Sequence, residues 1–131
     1  MRAPEIGRTA TQTFDTTYSD TAEAGGNAGV VVVSTRTLVE WLEVVAESII
    51  RDLFEDGEAS VGAAVCVRHL APSSVGRPVA ITATITGARK TMIDFDVEVR
   101  DGKKVLMDGT HTRAVIDLDA FLEGLKEPDT P

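Results

Sequence analysis

The chain has 131 residues, of which 43% are hydrophobic and 26% charged, the balance of a soluble globular protein with length enough for one core. A formal net charge of -8 and the lack of any Lys/Arg run exclude nucleic acid as a partner, because phosphate binding needs clustered cations. No apolar run reaches bilayer length and the start, "MRAPEIGRTATQTFD", has no apolar core behind its charges, so no membrane partner, no signal peptide and a cytoplasmic location are expected.

Residues 1–9 are expected to be flexible, and the Thr-rich stretch from Arg8 to Tyr18 reads as a first strand with Phe14 as its large apolar contact. The small, acidic and glycine residues of "SDTAEAGGNAG" predict a flexible connection. Val30 to Val33 is too apolar for an exposed loop and reads as a buried lead into a helix. In that helix, Ser34 to Phe54, the residues Leu38, Trp41, Leu42, Val45, Ile49 and Leu53 recur at the spacing of one helical face. Thr37 followed by Glu40 has the form of a capping box, and "EDGE" ends the helix at Gly57.

From Gly57 to about Leu118 the pattern is strand. Val79, Ile81, Ala83 and Ile85 alternate with polar or small residues, as do Ile93, Phe95, Val97 and Val99, which predicts a sheet with one wet face. "RDGKK" and "GARKT" read as hairpin turns, so the strands around them run antiparallel. Cys66, the single cysteine, excludes an internal disulfide and argues against structural zinc; its setting in "VGAAVCVRHL" predicts a buried residue. A short last helix, "DAFLEGLK", starts with Asp119 as its cap, and residues 127–131, "EPDTP", are expected to be flexible. The sum is an α+β fold in a single domain, residues 1–131, with one long helix against a curved antiparallel sheet.

Glu40, Glu43, Glu47 and Arg51 lie opposite the apolar stripe, where a solvated face with a Glu47–Arg51 pair is the plain reading. His69 and His111 both fall in strands. A metal site would need the two to converge with a carboxylate, which their spacing does not require, and no metal is expected. Neither a phosphate-binding glycine loop nor a Gly-x-Ser-x-Gly elbow is present.

The segments "VVVSTRTLVEWLE", "GAAVCVRHLAPSSVG" and "DGTHTRAVIDLDAF", in this order, resemble the fluoroacetyl-CoA thioesterase family of hot-dog-fold proteins. That resemblance implies a hot-dog fold, a long central helix wrapped by the sheet, and subunits that pair with active sites near their interface. It carries the family's catalytic roles onto Thr35, Glu43 and His69, and substrate contacts onto Gly62 and Arg113. Of the three stripe carboxylates, Glu43 is therefore the functional one, with Glu40 a cap and Glu47 solvated.

The expected activity is hydrolysis of a short or medium acyl-CoA to free acid and CoA by a homodimer or larger homo-oligomer, with CoA as part of the substrate and no separate cofactor. Glu43 is nucleophile or general base and His69 transfers protons. CoA is anionic, so local cations must meet it, with Arg36, Arg77, Arg89 and Lys90 as candidates. The region before Val30 departs from the family in lacking a strongly apolar lid, which predicts an open site without marked preference for a fluorinated acyl group. The alternatives are an acyl-CoA hydratase or dehydratase on the same fold, and a binding module that holds an acyl thioester without turning it over.

Overall fold

The structure, a computed structural model, describes residues 1–126; the expectation for residues 127–131 lies outside the described residues. Five strands, β1 (Thr9–Phe14), β2 (Glu58–His69), β3 (Val79–Arg89), β4 (Met92–Asp101) and β5 (Lys104–Asp117), form one antiparallel sheet in the order β1-β3-β4-β5-β2. Helix α1 (Thr35–Ile50) lies against one face, and a short helix α2 (Leu118–Gly124) follows β5. No helix among the described residues is long and apolar enough to cross a membrane.

The alternating residues of β3 and β4 all point to one face. Val79, Ile81, Ala83, Ile85, Ile93, Phe95, Val97 and Val99 are buried against Leu38, Leu42, Val45, Ala46 and Ile49 of α1. Complete burial of a side chain of this size contributes roughly 1.5–3 kcal/mol, so this seam dominates the packing and sets the rotation of α1 about its axis. Phe14 of β1 stacks on Trp41 with ring centroids 4.7 Å apart, closing the far side of the seam.

Several local features differ from the sequence-based expectations. The cap of α1 is Ser34, whose Oγ accepts from the Thr37 backbone N–H at 3.1 Å, so Thr37 sits inside the helix and Glu40 is a surface residue. Asp117, not Asp119, caps α2, accepting from the Ala120 N–H at 2.9 Å. In both cases two cap-forming residues stand close together and the earlier one reaches the first-turn amides. Only Val33 of the Val30–Val33 run is buried, while Val30 and Val31 are exposed.

The connection before it is tied rather than loose: Ala22 N–H donates to Val32 O at 2.9 Å, Glu23 N–H to Val30 O at 2.8 Å, and Tyr18 O–H to Glu23 at 2.8 Å. The first nine residues also make defined contacts. The Met1 ammonium meets Glu58 at 2.6 Å, and the Arg2 and Gly7 N–H groups donate to Leu53 O and Ile85 O, each at 2.8 Å.

Strand β2 pairs with β5 alone and forms an edge of the sheet. Residues Gly62 to Cys66 on it are exposed, which overturns the expected burial of Cys66: an apolar-looking strand lies at the rim instead of the centre. Beside the start of this edge, where Leu118 N–H donates to Gly57 O at 2.8 Å, α2 carries Leu118, Phe121 and Leu122, with Leu125 just after it, all exposed.

Candidate active site

Because the α1 seam fixes the helix rotation, Thr35 and Glu43 both turn toward β2, but at different heights. Eight residues at about 1.5 Å rise separate them by roughly 12 Å along the axis. Two clusters result.

The first is at the start of α1. Thr35 Oγ1 lies 2.7 Å from His69 Nδ1, in the geometry of a hydroxyl and its base. The pair opens on a cleft of about 360 Å³ lined also by Val32, Leu70, Ala71 and Pro72. The imidazole's other nitrogen, Nε2, is buried and has no hydrogen-bond partner within the described residues. Such a nitrogen is costly unless something meets it. The hydrogen-bond partner of the Thr35 hydroxyl is thus His69. The Thr35 and Arg36 amides belong to the first helical turn, where N–H groups have no intrahelical acceptor and favour a negative charge placed before them.

The second cluster surrounds Glu43, whose side chain is 38% exposed. Its Oε2 lies 3.5 Å from Arg113 Nη1 and packs directly over Gly62, where a Cβ would overlap that oxygen. A side chain at this position would push that carboxylate off the strand. Arg113 is nearly fully buried: Nε donates to Ser60 Oγ at 2.9 Å, Nη2 to Ser60 O at 3.2 Å, and Nη1 to His111 Nε2 at 3.2 Å.

His111 is locked in one form. Its Nδ1 is 2.9 Å from the carbonyl of Ala64, which can only accept, so Nδ1 carries the proton; Nε2 is then free to accept from the arginine, which can only donate. Burial, with the Arg113 charge adding to it, pushes the His111 pKa below its ordinary value, against the bond to Ala64 and the field of Glu43. Burial also lowers the Arg113 pKa, while Glu43 and Glu47 oppose it.

Of the residues expected in the site, Thr35 with His69, and Glu43 with Gly62 and Arg113, are brought together. Arg113, expected to touch substrate, has its guanidinium held from behind by Ser60 and His111 and presents only one nitrogen toward Glu43. Arg36 is exposed and donates to Ser19 O at 3.4 Å, so it lies over the loop ahead of α1. Arg77 and Arg89 are bound to Asp101 and Asp94. Glu47 pairs with Arg51 as expected.

Ser60 escaped sequence reasoning, and His111 was weighed there only for a metal site, although the Gly-Thr-His-Thr-Arg alternation puts His111 and Arg113 on the same strand face. A surface depression of about 500 Å³ lies over Thr82, Asp96, Glu98 and Asp108 on the other side of the sheet, away from Thr35, Glu43 and His69. Among the described residues no three of His, Cys, Asp or Glu gather in a way that could hold a metal ion.

Comparison with known proteins adds three findings. The family model described as "fluoroacetyl-CoA-specific thioesterase" matches residues 16–119. The fluoroacetyl-CoA thioesterase of Streptantibioticus cattleyicolor is 37% identical over 84 residues, 64% of this chain; the match spans only 58% of that relative's length. Among solved structures, the fluoroacetyl-CoA thioesterase FlK superposes with a TM-score of 0.87 at 27% identity, covering 96% of this chain and 99% of the other. A hot-dog-like protein from Thermanaerovibrio acidaminovorans, 22% identical, gives 0.86 over 93% and 90%, which supports the fold.

The His111 environment sets a pH dependence. The unfolded chain takes up a proton at this residue near the ordinary value of 6.5, and the folded protein only at lower pH. Stability is therefore retained above about 6.5 and falls as pH drops below it toward the folded pKa. Urea unfolding between pH 7.5 and 5 should show this loss, and His111→Gln should flatten it; an unchanged slope in the variant contradicts the assignment.

Proposed function

The chain belongs to the fluoroacetyl-CoA-specific thioesterase family, and on that basis we propose that it is a hot-dog-fold acyl-CoA thioesterase acting as a homodimer, each subunit a single domain. The observation that carries the reading is the 2.7 Å contact of Thr35 with His69 on the floor of an apolar-walled cleft. An acyl group seated against Val32 and Leu70 brings its thioester carbonyl to the start of α1. There the Thr35 and Arg36 amides stabilise the oxyanion.

The partner subunit supplies the carboxylate. Glu43 and His69 of one chain are held in separate clusters, and the open edge of β2 carries both Gly62, under Glu43, and His69. Antiparallel pairing of two β2 edges about a two-fold axis at Cys66 sets Gly62 opposite His69 of the partner subunit, because the bulge between Gly62 and Ala64 takes one residue out of the ladder. Facing residues in such a pair are only about 5 Å apart at Cα. Glu43 then meets the unpartnered Nε2 of the opposite histidine, and a long apolar edge that invites aggregation is covered. The apolar stripe of α2, beside the same edge, favours the same contact.

In this arrangement Glu43 drives attack on the carbonyl, directly or through a water molecule. His69 with Thr35 delivers a proton to the departing CoA thiolate. Arg113, fixed by His111 and Ser60, holds the Glu43 carboxylate over Gly62. A cytoplasmic location is in keeping with substrate chemistry of this kind.

The test is thiol release from a panel of short, branched, aromatic and fluorinated acyl-CoAs. Glu43→Ala and His69→Ala should each lower turnover by about a hundredfold or more, and Glu47→Ala should change it little. Equal losses in folded Glu47 and Glu43 variants contradict the assignment. Binding of acyl-CoA without any thiol release favours the binding-module alternative.

For selectivity, the cleft wall of Val32, Leu70, Ala71 and Pro72 has no aromatic side chain to enclose a single small group. The ratio of kcat/KM for fluoroacetyl-CoA over acetyl-CoA should stay below about a thousandfold, since one small substituent contributes little contact energy. A larger ratio contradicts the open-site reading.

A further inference from the structure

The thioester cleft is too small for the nucleotide half of CoA, which must lie outside it on the protein surface. That surface carries a net charge of -8, so the phosphates need a local exception. Most arginines offer none: Arg8, Arg51, Arg68, Arg77, Arg89, Arg100 and Arg113 are each paired with a carboxylate.

Lys104 differs. It is the first residue of β5, after the turn at Gly102, and its Nζ donates to the carbonyl of Pro72 at 2.7 Å. Pro72 is a wall of the cleft that holds Thr35 and His69. The wall is itself anchored to β5, because the Leu70 and Ala71 N–H groups donate to Leu106 O at 2.7 and 3.3 Å. The ammonium is thus held at the cleft rim by backbone bonds two residues away. A carbonyl uses one of its three protons, and two remain for an anion. Among the described residues neither Lys104 nor the adjacent exposed Lys103 is in a close ion pair; Asp101, which faces Lys104 across the strand pair, is bound to Arg77.

We propose that Lys104, with Lys103 beside it, binds the phosphate groups of the CoA half of the substrate at the mouth of the Thr35–His69 cleft. The proposal rests on the acyl-CoA reading for the identity of the anion, and the position of the cation rests on geometry alone. It replaces Arg77 and Arg89, which are engaged elsewhere, as the residues that meet CoA.

Calorimetric titration with CoA and with pantetheine, which lacks phosphate, tests it without requiring turnover. Lys104→Ala should weaken CoA binding about tenfold, the scale of one exposed charge-assisted contact, and leave pantetheine binding unchanged. Lys104→Arg should retain most of the affinity. Arg2→Gln, which removes the same charge near the C-terminal end of α1, should change CoA binding less than twofold.

The proposal is overturned if Lys104→Ala binds CoA like the parent protein. It is equally overturned if both ligands weaken together, which would mean that Lys104 only shapes the wall, or if Arg2→Gln matches Lys104→Ala, which would mean a diffuse field. Thiol release from acetyl-CoA by the parent protein is scored separately. A Lys104-dependent CoA site with no thiol release would sink the thioesterase reading and leave this site standing.

Discussion

Everything in the candidate site depends on the seam between α1 and the sheet. Leu38, Leu42, Val45, Ala46 and Ile49 must face β3 and β4 to be buried, which leaves no freedom in the rotation of the helix. Once that rotation is set, Thr35 and Glu43 both emerge beside β2, where Thr35 meets His69 and Glu43 lies over Gly62 beside Arg113. A helix turned by one residue would bury these polar groups and expose the seam.

Beneath Glu43 lies a buried relay in which each donor and acceptor is fixed by the next. The Ala64 carbonyl fixes the His111 tautomer, His111 Nε2 and Ser60 fix the guanidinium, and the guanidinium fixes the carboxylate. Burying a guanidinium is expensive unless its N–H groups are satisfied, and here all three nitrogens are engaged. Such a framework gives a carboxylate of the helix a set position on the strand, a requirement for any group that must act on a carbonyl within a fraction of an ångström. The Thr35–His69 pair is built differently, open to a cleft.

Much of the fold was legible because two periodicities are clean. The alternation in Val79–Ile85 and Ile93–Val99 and the helical recurrence from Leu38 to Ile49 correspond directly to buried faces. What the sequence could not supply was the order of strands. That β2 pairs with β5 and not with β3, its neighbour in the chain, is a tertiary outcome. It turns the apolar-looking "VGAAVC" into an exposed edge and makes Cys66 accessible. The caps of both helices were misplaced by two or three residues for a local reason, competition between adjacent Ser/Thr or Asp side chains for the same amides. Thr35, Glu43 and His69 were singled out through family resemblance and not through their local pattern. His111 was set aside as a strand histidine, because its value lies in what it holds and not in what it touches. Lys104 reads in the sequence as one of several scattered cations at strand ends; the folding of the Leu70–Pro72 segment onto β5 brings it to the cleft.

The central claim is that Glu43 and His69 work together across a two-fold interface. Mixing Glu43→Ala and His69→Ala proteins under conditions that exchange subunits measures this directly, since a mixed dimer regains one site with both residues intact. Thiol release recovering to about a quarter of the parent activity, the value for random reassortment with one working site per mixed dimer, is expected. No recovery above that of either variant alone, with subunit exchange demonstrated, would contradict the shared site.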